Sequence, residues 1–200
     1  MIKKILLVTV FVPFVLFGQK SIPVSVSFFN EMTAIPFTRF ISTPIHPGIQ
    51  AATEFNYIVK EHGRLFQTAS LSYFYHSYLC QGIGISSELG YEYRLKSGLA
   101  FESLLGLGYL HTFATVKEFA LGDGHYYRRT DFGNPRLYPS LSLDLGYYFK
   151  TSDKTSPKVF LRYQAWAEYP YSPGFIPVMT HINLHLGVKV FIHTEAKNHE

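Results

Sequence analysis

From Ile22 onward, apolar and polar residues alternate with a period of two, the pattern of strands that keep one face in apolar surroundings. The clearest run is Thr180–Ile192. There Ile182, Leu184, Leu186, Val188, Val190 and Ile192 share one face, and His181, Asn183, His185, Gly187 and Lys189 share the other. Leu141, Leu143, Leu145, Tyr147 and Phe149 alternate in the same way with Ser140, Ser142, Asp144, Gly146 and Tyr148, and Ile83–Tyr93 behaves alike. Weaker segments at Ile22–Phe29, Gly48–Lys60, Arg64–Tyr78, Leu99–Lys117 and Lys158–Tyr169 bring the expected total to eight strands. Most reach the roughly 9–11 residues that a tilted membrane strand needs. Short polar turns at Glu61–Gly63, Lys96–Gly98 and Thr151–Pro157 alternate with longer connections at Asn30–Pro47, Phe119–Arg136 and Pro170–Val178, and with a brief link near Cys80–Gly82. Short turns at one end and long loops at the other predict an all-β fold, an eight-stranded antiparallel transmembrane β-barrel.

Alternation does not say which face points inward, because a secreted lipocalin-like carrier would place its apolar face inside. Three features favour lipid outside. The polar face is mostly Ser, Gly, Thr and Asn, whereas a water-facing sheet carries many charges. Charged residues make up only 16% of the chain, against about 25% in a typical soluble domain. Aromatics, at 17%, gather toward strand ends on the apolar face. Tyr57, Tyr91, Tyr93, Phe101, Tyr147 and Phe149 predict one belt on the short-turn side. Tyr73, Tyr75, Tyr109, Phe113 and Tyr169 predict another on the long-loop side, with Ala69, Leu71, Leu89, Leu105, Leu107, Leu143, Ala165 and Leu186 between them. Two aromatic girdles around an aliphatic band are what the interfaces of a bilayer select.

The N-terminus supplies the third feature. Met1–Lys4 is a short basic start, Ile5–Phe17 an apolar run too short to span a bilayer as a helix, and Gly18 a small residue at its end. This predicts a secretory signal peptide at 1–18, a barrel at 19–192 and a polar tail at 193–200. Removing Lys3 and Lys4 lowers the formal charge from +4 to +2 (4 − 2), so the basic balance does not point to nucleic acid. A lone cysteine, Cys80, excludes an internal disulfide. The last strand, His185–Ile192, resembles the C-terminal assembly signal of outer-membrane barrels, with Val190 and Ile192 at the usual aromatic positions. The whole pattern resembles the small outer-membrane barrels of the OmpA, OmpX and OmpW kind. The resemblance implies a Gram-negative outer membrane, with its lipid and the barrel assembly machinery as partners, and it carries no catalytic residues.

Inward parity falls on Glu54, Glu88, Glu92, Arg94, Glu102, Asp144, Arg162, Glu168 and Lys189. Folding across the Lys96–Gly98 turn sets Glu92 opposite Glu102, with Arg94 diagonal to both, and predicts a charge-paired plug in a lumen too narrow for an open pore. His46, His76 and His181 fall near the long-loop end with Glu168, a set able to hold a divalent ion or ligand. His181 and His185 lie about 13 Å apart along a strand and cannot share one ion. No His-x-Ser step lies on the apolar face, where His111-Thr112-Phe113 is nearest, and His76-Ser77 splits across faces. No Gly-x-Ser-x-Gly is present, and Gly106-Leu107-Gly108 lacks the helix of a nucleotide loop and fits close strand packing better. No cofactor is expected. The leading reading is a non-enzymatic surface or structural barrel that binds a ligand or partner through Met32–Ile41 and the loop 119–136. The alternatives are an outer-leaflet lipid-modifying or metal-dependent enzyme at the His46, His76, Glu168 and His181 mouth, and the lipocalin-like carrier.

Overall fold

The computed structural model describes residues 21–193 apart from 42, 118, 123, 129, 152, 154 and 173. The expected signal peptide at 1–18 and the tail beyond His193 lie outside the described residues. Eight long strands, β1 (Ser21–Thr33), β2 (Pro47–Val59), β3 (Gly63–Tyr75), β4 (Cys80–Arg94), β5 (Leu99–Ala114), β8 (Asn134–Tyr148), β9 (Lys158–Glu168) and β10 (Met179–His193), form one sheet. A small hairpin, β6 (Phe119–Gly122) and β7 (His125–Arg128), stands in the longest loop. Every neighbouring pair in the sheet is antiparallel, and β1 closes the barrel on β10 from Ser21↔His193 to Thr33↔His181. Closure leaves no unpaired sheet edge, a condition for a strand fold in hydrocarbon.

Two expected boundaries move. β1 runs on to Thr33, so Glu31 is a luminal strand residue rather than part of a loop. The brief link is 76–79, and Gly82 already lies within β4.

The faces divide by polarity as the alternation predicts. Leu143 and Leu186 are 45% and 68% exposed, while Ser142 and Asn183 are 0% and 3% exposed. A carrier of the lipocalin kind has the reverse arrangement, and an apolar wall this extensive is stable only in contact with hydrocarbon. Tyr91, Tyr93, Phe101, Tyr147 and Phe149 stand out toward one rim, and Tyr73, Tyr75, Tyr109 and Tyr169 toward the other. Inward glycines make room for large luminal neighbours. A Cβ at Gly106 would meet Glu88 Cγ and Ser140 Oγ, each at 2.5 Å, which is why this position carries none.

Ala165 is the exception in the expected aliphatic band. It has outward parity, as do Met32 and Ile182, yet all three are buried. Segment 34–41 covers this side. After Ala34 exchanges hydrogen bonds with Thr180, the chain turns back along the outer wall, and the Phe37 and Phe40 rings pack on Tyr163 at 5.2 and 5.4 Å. Phe37 takes φ 65°, rare for a bulky residue, and its N–H donates to the Tyr163 hydroxyl at 2.7 Å. Ile35 and Ile41 remain exposed, so the segment presents an apolar side to lipid rather than a free loop to water. Two aromatic contacts contribute roughly 1–3 kcal/mol. Tyr163→Ala is therefore expected to raise tryptic cleavage after Arg39 in reconstituted protein by roughly tenfold; an unchanged cleavage rate places the segment elsewhere.

Candidate functional site

The lumen is filled in three layers. The lowest, toward the short turns, grows from cross-strand register: Arg64↔Glu92, Glu92↔Glu102, Glu102↔Asp144 and Asp144↔Arg162 are successive partners across β3, β4, β5, β8 and β9. Arg64 reaches Glu54 at 2.6 Å, Glu92 at 3.2 Å and Glu102 at 3.5 Å. Lys189 reaches Glu54 at 2.5 Å and Glu102 at 3.3 Å, and Lys158 contacts Glu102 and lies 3.4 Å from Glu92. Three carboxylates thus face three cations, the balance that buried charge requires. Beside them Arg162 holds Asp144 at 2.8 Å and Glu88 at 3.3 Å, while Ser140 and Ser142 each donate to Glu88 at 2.9 Å.

Arg94 does not join this network. It sits at the rim, where its guanidinium donates to the carbonyls of Lys150, Thr151 and Asp153. The Tyr148 ring, 3.9 Å beneath it, separates it from the charges and donates its own hydroxyl to Glu92 at 2.8 Å. Arg64 and Lys158 take its place. Both share the parity of inward neighbours, Phe66 and Arg162, but each stands near a strand end where alternation is weakest. A vestibule of about 390 Å³ opens on this side and ends on Arg64, Glu92 and Tyr148.

The middle layer is amide and aromatic. Gln164 Oε1 accepts from Tyr138 at 3.1 Å and Asn183 at 2.9 Å, and Asn183 accepts from the Trp166 indole at 3.1 Å. Above, Phe29, Phe74, Leu110, Tyr138 and Trp166 form a buried cluster across the barrel. Nothing in the alternation marks these as plug residues, because they lie on the face otherwise given to small polar side chains.

The third layer closes the long-loop mouth. Glu31 at the end of β1 has Oε1 2.7 Å from His181 Nδ1, and His181 Nε2 lies 3.3 Å from Glu168. Glu168 in turn meets Arg136 at 3.1 Å, and Arg136 donates to the carbonyls of Pro170 and Tyr171. The His181 ring stacks on Trp166 at 4.0 Å, joining this layer to the plug. His46, just before β2, and His76, just after β3, stack at 3.5 Å beside Glu31. Burial pushes the His76 imidazole below the ordinary histidine range, with the Glu31 charge opposing. The structure therefore brings His46 and His76 together, while His181 and Glu168 stand behind Glu31. Glu31 joins this group only because β1 extends past Phe29. Thr33 is the hydroxyl near His181, at 3.4 Å from Nδ1, but that nitrogen already serves Glu31 and cannot accept its proton.

No protein-family model matches the chain, and no curated protein matches it in sequence. Solved structures do. Neisserial surface protein A superimposes with a TM-score of 0.50 at 10% identity, covering 85% of this chain and 95% of that one. The outer membrane enzyme PagL gives 0.47 at 11%, covering 84% and 98%. Ail, the attachment invasion locus protein of Yersinia pestis, gives 0.46 at 11%, covering 88% and 100%. The fold is that of the small eight-stranded outer-membrane barrels.

Proposed function

We propose that the protein is a closed outer-membrane barrel that anchors surface loops and conducts no solute. The observation that carries this reading is the lumen, occupied from Arg64 to Glu31 by paired charges, an amide and aromatic layer and a second charged layer. Eight strands enclose only enough room for side chains, and here these side chains bond one another. The display surface is the loop between β5 and β8, with exposed Tyr126, Tyr127 and Phe132, and the loop between β9 and β10, with exposed Phe175. Exposed aromatics of this kind supply contact area for a ligand or protein partner. Segment 34–41, packed on the wall, serves lipid contact instead.

Planar-bilayer recordings are the direct test. Purified protein is expected to give no conductance steps above the lipid baseline; stepwise currents of open-channel size overturn the proposal. A second reading, a metal-dependent mouth, is favoured by the geometry around Glu31.

A further inference from the structure

We propose that Glu31, His46 and His76 form a site for one zinc-class divalent cation at the long-loop mouth of the barrel. Three neighbouring strands supply the ligands: Glu31 from the end of β1, His46 from the residue before β2 and His76 from the residue after β3. One ligand atom from each lies within 4.8 Å of the others, and all three residues are buried. Glu31 Oε2 and His76 Nε2 are 3.9 Å apart. Donors around a tetrahedral ion with bonds near 2.0–2.2 Å stand about 3.4 Å apart, so the Glu31–His76 pair closes by about 0.5 Å (3.9 − 3.4) and no pair by more than about 1.4 Å (4.8 − 3.4).

Two atoms of the cluster's residues are orphaned. His46 Nδ1 lies 3.1 Å from the Glu31 carbonyl oxygen, which only accepts, so Nδ1 carries the proton and the Nε2 lone pair is free. That Nε2 and Glu31 Oε2 are buried without a hydrogen-bond partner among the described residues. Unpartnered buried acceptors are costly, and a cation satisfies both at once. Glu31 is already aimed, since its Oε1 is bonded to His181 Nδ1, with Glu168 as an ion-pair neighbour 3.3 Å from His181 Nε2 and Arg136 3.1 Å from Glu168. Such outer partners orient metal ligands and raise their affinity. His76 is the pliable member. Its Nδ1 accepts the Tyr78 N–H at 3.3 Å, a long contact that the ring gives up when it binds through Nε2.

Two imidazoles and one carboxylate select zinc and similar first-row divalent ions over calcium or magnesium, which prefer all-oxygen sites. The bound ion ties β1, β2 and β3 together where segment 34–45 leaves and returns to the barrel.

The test uses the full protein in detergent micelles, stripped with a chelator and then titrated with Zn²⁺ against a chromophoric competitor. Co²⁺ absorption serves as an independent readout. One equivalent is expected, with a tetrahedral or five-coordinate Co²⁺ spectrum. His46→Ala and Glu31→Gln are each expected to weaken binding at least ~10-fold. His46→Ala/His76→Ala is expected to abolish it, and His111→Ala, on the lipid face, to leave it unchanged. Retained folding of each variant is checked by its heat-sensitive electrophoretic migration. If Glu31→Gln fails to fold, the histidine variants carry the decision. Absence of stoichiometric binding, survival of binding in the double variant, or loss in His111→Ala overturns the site.

Discussion

Glu102→Gln is expected to lower the unfolding free energy of the barrel by about 3–5 kcal/mol, the cost of stranding buried charge by removing its partner. Glu102 contacts Arg64, Lys158 and Lys189 and is itself buried. The substitution keeps the side-chain shape but leaves three cations facing two carboxylates, a surplus held among buried side chains. Urea titration in lipid vesicles reads this as a shifted midpoint. Pairing Glu102→Gln with Lys158→Met removes one charge of each sign and is expected to recover part of the loss. The double-mutant cycle then reports coupling rather than two separate defects. A single variant as stable as the parent counts against Glu102 as the charge that balances Arg64, Lys158 and Lys189.

The second large effect concerns the outer wall. Leu143 stands in the middle of β8, 45% exposed, and its strand neighbour Ser142 is fully buried in the lumen. An arginine on the lipid face near mid-membrane costs ~2–4 kcal/mol, because its charge must leave water for hydrocarbon. Leu143→Arg is therefore expected to shift the vesicle unfolding midpoint strongly while the same variant in water-rich micelles loses less. Were Leu143 facing water, the substitution would cost under about 0.5 kcal/mol, as surface changes do. Equal and negligible losses in both media count against the bilayer assignment.

Both effects trace to features of different legibility. Strand existence and facing were readable from local alternation, since one face of every strand must match its surroundings and the side-chain period is two. Most of the luminal charges were readable for the same reason, as with Glu88, Asp144 and Arg162. Arg94 shows where parity stops: it points inward on paper, but the Tyr148 ring and the turn carbonyls capture it at the rim. Lys158 and Arg64 show the converse, inward positions close to turns that the pattern leaves unweighted. Segment 34–41 was visibly apolar, but its seat on Tyr163 depends on a fold-back that no periodicity encodes.

Alternation along the chain thus decided the strands and their two faces, because each follows from burial on one side of a single strand; the few charges on the polar face and the aromatic girdles pointed to the reversed polarity, and the closed sheet fixed the count at eight. Which charges meet was decided by strand register, which sets Arg64, Glu92, Glu102, Asp144 and Arg162 in one row across five strands. The mouth was decided the same way. Glu31, His46 and His76 are separated by 15 and 30 residues (46 − 31 and 76 − 46). They come within reach of one ion only because β1, β2 and β3 end side by side. Facing is a local property of the sequence; adjacency across strands exists only once the sheet has closed.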